Sequence, residues 1–253
     1  MSLQADLYTE FDTDPTNITA FIWWLAKKSG LSRNLRILDI GCGPGRMLME
    51  YARLGWQVTG MEPDPDFYAS AKQAAAHHPS IIIKHGGFED LIEEDAYDLV
   101  TAINDPFAYV LDIPKRREAL ARVYRALRPG GLMFLEVKNF LYKLFYDQPI
   151  KEEFGKIDHR RIAHVMQQEI DFHNARWICR DEYIVEGENR TVSKTHTLAI
   201  ITLPELMYFI EQQGFEQIET YPDYGVRDPQ PINGRLILIS ARKPGVYQVA
   251  SKT

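Results

Sequence analysis

The chain has 253 residues, 45% of them hydrophobic and 25% charged, with a net charge of −6. These values fit one soluble α/β domain, or one carrying an insertion, with a core large enough to need no covalent staples. The acidic balance works against indiscriminate binding to polyphosphate, and two cysteines without a CxxC spacing, Cys42 and Cys179, exclude a disulfide framework.

Residues 14–17 read as a helix start and residues 18–28 as the helix, with apolar residues on helical spacing and a stop at Ser29-Gly30. Residues 36–40 form a short buried strand, and 43–54 a loop and helix. A second strand covers 57–61 and closes on Glu62-Pro63. Residues 66–77 are an alanine-rich helix, 80–84 a strand with three consecutive isoleucines, and 97–103 a fourth strand. A helix over 115–127 is stopped by Arg128-Pro129-Gly130-Gly131, and 132–137 make a fifth strand. This alternation predicts a parallel sheet covered by helices on both faces.

The pattern then changes. Residues 164–172, 175–185 and 191–202 are three extended segments with polar turns, and 187–189 carry the clearest hairpin signal. A helix over 204–213 ends at Gly214, and strands follow at 215–220 and 235–241. The expected organisation is an α/β domain of residues 1–138 and 203–253, interrupted by an antiparallel lid over 139–202. The first ten residues are neither cationic nor apolar enough for a signal peptide, and no apolar stretch could span a bilayer. The expectation is a cytoplasmic protein without membrane contact.

The first strand runs into Gly41-Cys42-Gly43-Pro44-Gly45. Glycine at every second position lets the backbone turn sharply and lets a ligand approach the main chain, at the strand end where open α/β sheets bind ligands. A dinucleotide fingerprint would need glycine where Arg46 stands, and no Gly-Lys-Ser/Thr follows to make a phosphate-gripping loop. Glu62, at the end of the second strand, can accept hydrogen bonds from both hydroxyls of a ribose, and Pro63 offers an apolar face to adenine. Together these residues point to a nucleoside cofactor without a pyrophosphate. Cys42 reads as packing rather than as a nucleophile.

These motifs resemble those of the class I (Rossmann-like) S-adenosylmethionine-dependent methyltransferases. The likeness extends to Gly86-Gly87-Phe88-Glu89-Asp90-Leu91 after strand three, Tyr97-Asp98-Leu99-Val100 in strand four and Leu127-Arg128-Pro129-Gly130-Gly131 before strand five. The fold the resemblance implies is a doubly wound, mostly parallel seven-stranded sheet with a reversed last strand, the antiparallel lid following strand five. The cofactor implied is S-adenosyl-L-methionine. Gly41, Cys42, Gly43 and Gly45 would line its methionine part, Asp39 would shape the loop, and Asn104 would face the methionine end. Glu62 would hold the ribose, and Gly87 and Phe88 would border adenine. Where the family often has an aspartate the chain has Gly87, which leaves reading of the adenine amino group to Glu89 or a backbone carbonyl.

Methyl transfer needs an acceptor held in line and water excluded, rather than a special nucleophile. A lid of this kind resembles small-molecule methyltransferases, in which added strands and the N-terminal segment close over the acceptor. By that likeness Tyr8, Phe11, residues 107–109, Lys138 and the inserted strands would wall the site, with Tyr8 also at the cofactor. His196, Tyr109 and Asp105 are the candidate catalytic residues, with His164 a further histidine to weigh. Asn104-Asp105-Pro106-Phe107 loosely resembles the Asn/Asp-Pro-Pro-aromatic motif of amino methyltransferases, but a strand-exit turn explains it better. Trp23-Trp24 read as core. Lys115-Arg116-Arg117 and His159-Arg160-Arg161 read as solvated surface charge. The histidine spacing gives no metal motif.

The leading expectation is methyl transfer to nitrogen or oxygen of a small molecule, by a monomer or homodimer with no nucleic-acid partner. The alternatives are an acceptor in RNA, DNA or protein, and a catalytically silent cofactor-binding protein.

Overall fold

The computed structural model describes residues 7, 14–31, 34–146, 148–157, 159–187 and 191–245. Helix α1 (Pro15–Lys28) starts at Asp14, whose carboxylate accepts the Thr16 N–H at 2.9 Å, with Pro15 in the first turn where no donor is needed. Strand β1 (Arg36–Ile40) and helix α2 (Arg46–Arg53) flank the glycine loop. Strand β2 (Gln57–Glu62) leads into α3 (Pro65–Ala74), capped by the Asp64 carboxylate on the N–H groups of Asp66 and Phe67. Strands β3 (Ile81–His85) and β4 (Tyr97–Ala102) precede a short 3₁₀ turn, Pro106–Tyr109, and helix α4 (Ile113–Ala126). Then come β5 (Leu127–Lys138) and α5 (Phe140–Tyr146).

Four strands make a second sheet: β6 (Ile150–Ile157), β7 (Arg160–Asp171), β8 (Arg176–Val185) and β9 (Thr191–Ala199), in that order and antiparallel throughout. Helix α6 (Leu203–Gln212), β10 (Glu216–Tyr221) and β11 (Leu236–Arg242) return to the first sheet. That sheet has the order β10-β11-β5-β4-β1-β2-β3. The pairs β5–β4, β4–β1, β1–β2 and β2–β3 are parallel, and β11 runs antiparallel to both of its neighbours. The α/β sheet with its reversed last strand is thus as expected.

Each face of the large sheet carries its own core. Phe21, Ile22, Leu48, Tyr51, Phe134 and Tyr221 pack on one side, under α1 and α2. Leu38, Leu120, Val123, Phe209 and Ile210 pack on the other, under α4 and α6, and Trp177 and Leu198 of the second sheet extend that core. Burying both faces is why the parallel strands read as near-continuous apolar runs. Arg116, on α4, is buried at 3% exposure. Its Nη1 donates to the carbonyls of Val110 and Leu111, and its Nη2 to Glu205 on α6 at 2.9 Å.

Several expectations need correcting. The predicted stop at residues 128–131 lies inside β5. Leu127 already pairs with Tyr97, and the register shifts before Leu99 meets Leu132, so the glycines form an irregular stretch within the strand. Strand β6 and helix α5 were not expected. The sequence IKEEFGKI lacks clean alternation, and it lies at a sheet edge, where charge is tolerated. The extended segment expected to run to residue 202 ends at Ala199. Trp23 is not core: it is 44% exposed, with the Lys27 ammonium 4.4 Å from its ring centroid, while Trp24 packs edge-on to Tyr221. Arg116 is not solvated charge.

Candidate active site

The loop after β1 is built on left-handed backbone. Gly41, Gly43 and Gly45 have φ of +72°, +56° and +93°, which side chains rarely adopt. The N–H groups of Gly41 and Cys42 both donate to the Met61 carbonyl, at 2.7 and 3.1 Å, tying the loop to the end of β2. A Cβ on Gly41 would lie 2.4 Å from Pro106 Cβ, whereas one on Gly43 would meet nothing within 4 Å. The open side of the loop at Gly43 therefore admits a ligand against the main chain. Asp39 is buried and accepts the Thr101 hydroxyl at 2.7 Å, and burial raises its carboxyl to about 7. Burial also pushes the Cys42 thiol well above its usual range, so it is no thiolate nucleophile.

Glu62 is 5% exposed. Its Oε2 accepts the Gly43 N–H at 2.7 Å and its Oε1 the Asp64 N–H at 2.9 Å. Burial raises the carboxyl, against the lowering effect of these two N–H groups. Pro63 beside it is exposed, and its carbonyl lies 3.0 Å from His85 Nε2. A cavity opens between the glycine loop and the end of β4, lined by Asp39, Gly43, Arg46, Asn104 and Glu136. Gly87 is buried with its N–H held by Asp90 at 2.9 Å, and Phe88 is buried edge-on to Phe107. Glu89 is exposed.

Past β4, Asn104 and Asp105 are both left-handed, with φ of +65° and +68°. Consecutive non-glycine residues in that region store strain of the kind found at functional sites. Asp105 is 1% exposed. Its Oδ1 accepts the Lys138 N–H at 3.2 Å, and its Oδ2 lies 3.9 Å from the Lys138 ammonium. Burial raises its carboxyl to about 7, against the lowering effect of Lys138. The same ammonium lies 5.0 Å from the Trp177 ring centroid.

The 3₁₀ turn aims Tyr109 at the second sheet. Its phenol oxygen lies 2.6 Å from Nδ1 of His196 on β9. The ring is half exposed, but burial of its oxygen end beside the carboxylates of Asp105, Asp181 and Glu62 holds the phenol above its ordinary range. His196 Nε2 lies 3.4 Å from Asp181 Oδ2, and Asp181 Oδ1 lies 2.8 Å from His164 Nε2. His164 is stacked on Tyr183 at 4.3 Å. Burial lowers the His196 imidazole below its ordinary value, against the Asp181 carboxylate; Lys194 and Lys138 act with burial. Lys194, also on β9, bonds Asp64 at 2.7 Å and lies 4.7 Å from the Phe67 ring centroid. The second sheet is thereby joined to the residue two places after Glu62.

The structure thus brings Tyr109, His196 and Asp105 to one region, with Lys138 beside them. The sequence reading missed Asp181, Asp64 and Lys194. Asp181 had a signal: the buried positions of β8 run Trp177, Cys179, Asp181, Tyr183 and Val185, one carboxylate on an otherwise weakly polar face. Tyr8 and Phe11 lie outside the described residues. Leu7 is buried against Ile162, Tyr183 and Val185 of the second sheet. Among the described residues no cluster is placed to hold a metal ion, and no helix is long and apolar enough to cross a membrane.

Residues 37–131 match the family model described as "Methyltransferase domain". With the sheet order and the glycine loop, this gives the chain a methyltransferase domain over residues 37–131, on a fold similar to that of Rossmann-like, S-adenosylmethionine-dependent methyltransferases. Among particular relatives, it is 22% identical to a protein of Geobacillus sp. (strain WCH70) named as a methyltransferase, over 88% of this chain and 91% of that one. It is 35% identical over 121 residues to a ubiquinone biosynthesis O-methyltransferase of Bradyrhizobium sp. (strain ORS 278). That match covers 47% of this chain and 46% of the relative, a little under half of each. Its fold is similar, at a TM-score of 0.76 and 19% identity, to S-adenosylmethionine-bound CalS10, an amino pentose methyltransferase from Micromonospora echinaspora. That likeness covers 96% of this chain and 97% of the other.

Proposed function

We propose that the chain transfers a methyl group to nitrogen or oxygen of a small molecule held between the carboxyl ends of the large sheet and the covered face of the second sheet. The observation that carries this reading is the 2.6 Å contact between Tyr109 and His196. It joins the turn after β4 to the second sheet through two groups able to take a proton.

S-adenosylmethionine supplies an electrophilic methyl carbon on a sulfonium. The main chain of Gly41, Cys42, Gly43 and Gly45 would line its methionine part, with Asn104 at the end. Asp39, held by Thr101, keeps the loop in shape. Glu62 would accept from the ribose hydroxyls, and Pro63, with Gly87 and the turn it begins, would border adenine. Phe88 supports that turn from the core rather than through an exposed face. Tyr109 and His196 take the acceptor's proton, and the Asp105–Lys138 pair fixes the polarity beside them.

Two features favour a small acceptor. The second sheet is joined to the α3 cap through Lys194 and Asp64, which keeps it against the carboxyl ends of the large sheet and works against an extended polymer between them. The net charge of −6 opposes a polyanion. An amino pentose and a ubiquinone precursor are the two acceptors that the relatives' names suggest. Incubation of the protein with methyl-labelled cofactor and each compound tests the reading. Labelled small-molecule product supports it; label found only in RNA, DNA or protein from an extract refutes it.

A further inference from the structure

The covered face of the second sheet is polar only across its middle. Its register sets Ile162 opposite Val185 at one end, and Ile170, Trp177 and Leu198 in line at the other. Between these apolar rows stand His164, Asp181, Lys194 and His196. Asp181 is 7% and His164 5% exposed, and burying such groups is costly unless they satisfy one another. They face one another as a chain. Glu153 Oε2 lies 3.7 Å from His164 Nδ1, His164 Nε2 is 2.8 Å from Asp181 Oδ1, and Asp181 Oδ2 is 3.4 Å from His196 Nε2. The last link, from His196 Nδ1 to the Tyr109 phenol, leaves the sheet for the turn after β4.

The chemistry of the ends fixes the direction. A carboxylate only accepts, so His164 presents an N–H to Asp181 through Nε2, and a proton on Nε2 of His196 would face the same carboxylate at 3.4 Å. That leaves Nδ1 of His196 unprotonated and able to accept from the Tyr109 hydroxyl. We infer that Asp181 is a positioning residue, clamped by His164, which holds His196 in the tautomer that draws a proton from Tyr109. The inference rests on the small-molecule reading above and assigns roles to Asp181 and His164 within it.

In the step, the acceptor's N–H or O–H proton passes to the Tyr109 oxygen as the phenol's own proton passes to Nδ1 of His196. The acceptor lone pair forms the new bond to the methyl carbon, and the carbon–sulfur bond breaks with its electrons kept by sulfur. The net gain is one proton on His196, facing the Asp181 carboxylate. The groups that set the imidazole's charge come from several elements: Tyr109 on the turn, Asp181 on β8, Lys194 on its own strand, Lys138 on β5 and Asp64 before α3.

The test is a nitrogen-15 NMR titration of the histidines in the full-length, cofactor-free protein, with Asp181→Asn, His164→Gln and Tyr109→Phe. In the wild type, His196 is expected to carry its proton on Nε2. Asp181→Asn is expected to lower its titration midpoint by about one pH unit, and Tyr109→Phe to move its Nδ1 resonance. His164→Gln is expected to shift the Asp181-dependent midpoint in the same direction as Asp181→Asn, by less. With an amino pentose or a ubiquinone precursor as acceptor, Asp181→Asn is expected to slow transfer about 10- to 100-fold with the cofactor Kd unchanged. Its acid limb in kcat should move with the NMR midpoint. A His196 proton on Nδ1, or a midpoint and acid limb that stay put in Asp181→Asn, overturns the inference. Where Asp181→Asn does not fold, an unmoved Nδ1 resonance in Tyr109→Phe overturns it equally. No transfer to either compound, with the NMR shifts as expected, counts against the acceptor class and leaves the histidine's orientation standing.

Discussion

The Gly43 N–H donates to Glu62 Oε2 at 2.7 Å, so the loop after β1 and the end of β2 are held by one carboxylate. Replacing Glu62 by Gln keeps the shape but removes the charge that strengthens such bonds. The expected result is a loss of about tenfold or more in affinity for S-adenosylhomocysteine, about 1.4 kcal/mol, with a smaller change in melting temperature. Calorimetry reads the first and thermal unfolding the second. Equal affinity in wild type and variant would remove Glu62 from the cofactor site.

Gly41 and Gly43 are expected to fail for different reasons. A Cβ at Gly41 would collide with Pro106 at 2.4 Å, on backbone with φ +72°, so Gly41→Ala should cost about 3 kcal/mol of stability. At Gly43 the Cβ meets no atom of the chain. Gly43→Ala should cost only about 1 kcal/mol from backbone strain but obstruct the cofactor. Urea denaturation beside ligand titration separates the two. Similar stability losses in both variants would contradict the geometry.

Lys194 and Asp64 hold the second sheet to the α3 cap at 2.7 Å, both about a quarter exposed. Burial acts to raise Asp64, but Lys194 and the capped N–H groups outweigh it, and the carboxyl sits below its usual range. A partly solvated pair contributes less than about 1 kcal/mol to stability. Lys194→Ala should therefore unfold almost as wild type does, yet release bound S-adenosylhomocysteine several times faster in stopped flow. Release from wild type should quicken with added salt, as screening weakens the pair. Release rates indifferent to both changes would refute the latch.

Asp39 and Asp105 are held at about 7 by burial, above the ordinary 3.8. Between those values the folded chain keeps protons that the unfolded chain has lost, so stability falls as pH rises. The limiting slope is about 1.4 kcal/mol per pH unit for each group. His196 acts in the opposite sense, since its depressed value removes stability as pH falls below 6.5. Asp105→Asn should flatten the decline measured by denaturant unfolding across pH 4 to 7. An unchanged slope would place the Asp105 carboxyl at its ordinary value.

The central strands β1, β2, β4 and β5 are readable because they are buried on both faces and the turns between them are punctuated. Glu62 and the glycines are readable because their spacing to β1 and β2 is local. Strand β6 escapes because an edge strand needs no alternation. The register of β5 escapes because Arg128–Gly131 reads as a turn, and only pairing with β4 and β11 makes it part of a strand. Tyr109 and His196 are each visible as titratable groups, but 87 residues separate them, and no local pattern pairs them. Asp181 was legible only once the alternation of β8 put a carboxylate among its buried side chains.

Arg116 gives the site a dependence on residues that never meet a ligand. Its guanidinium grips the carbonyls of Val110 and Leu111, directly behind the turn that carries Tyr109, and ties them to Glu205 on α6. The aim of the phenol is therefore set in part by α4 and α6. Arginine's planar fork reaches all three oxygens at once, which the single ammonium of lysine cannot do. A selection for silent variants that still fold and still hold cofactor would be expected to return position 116, even with a basic side chain in place.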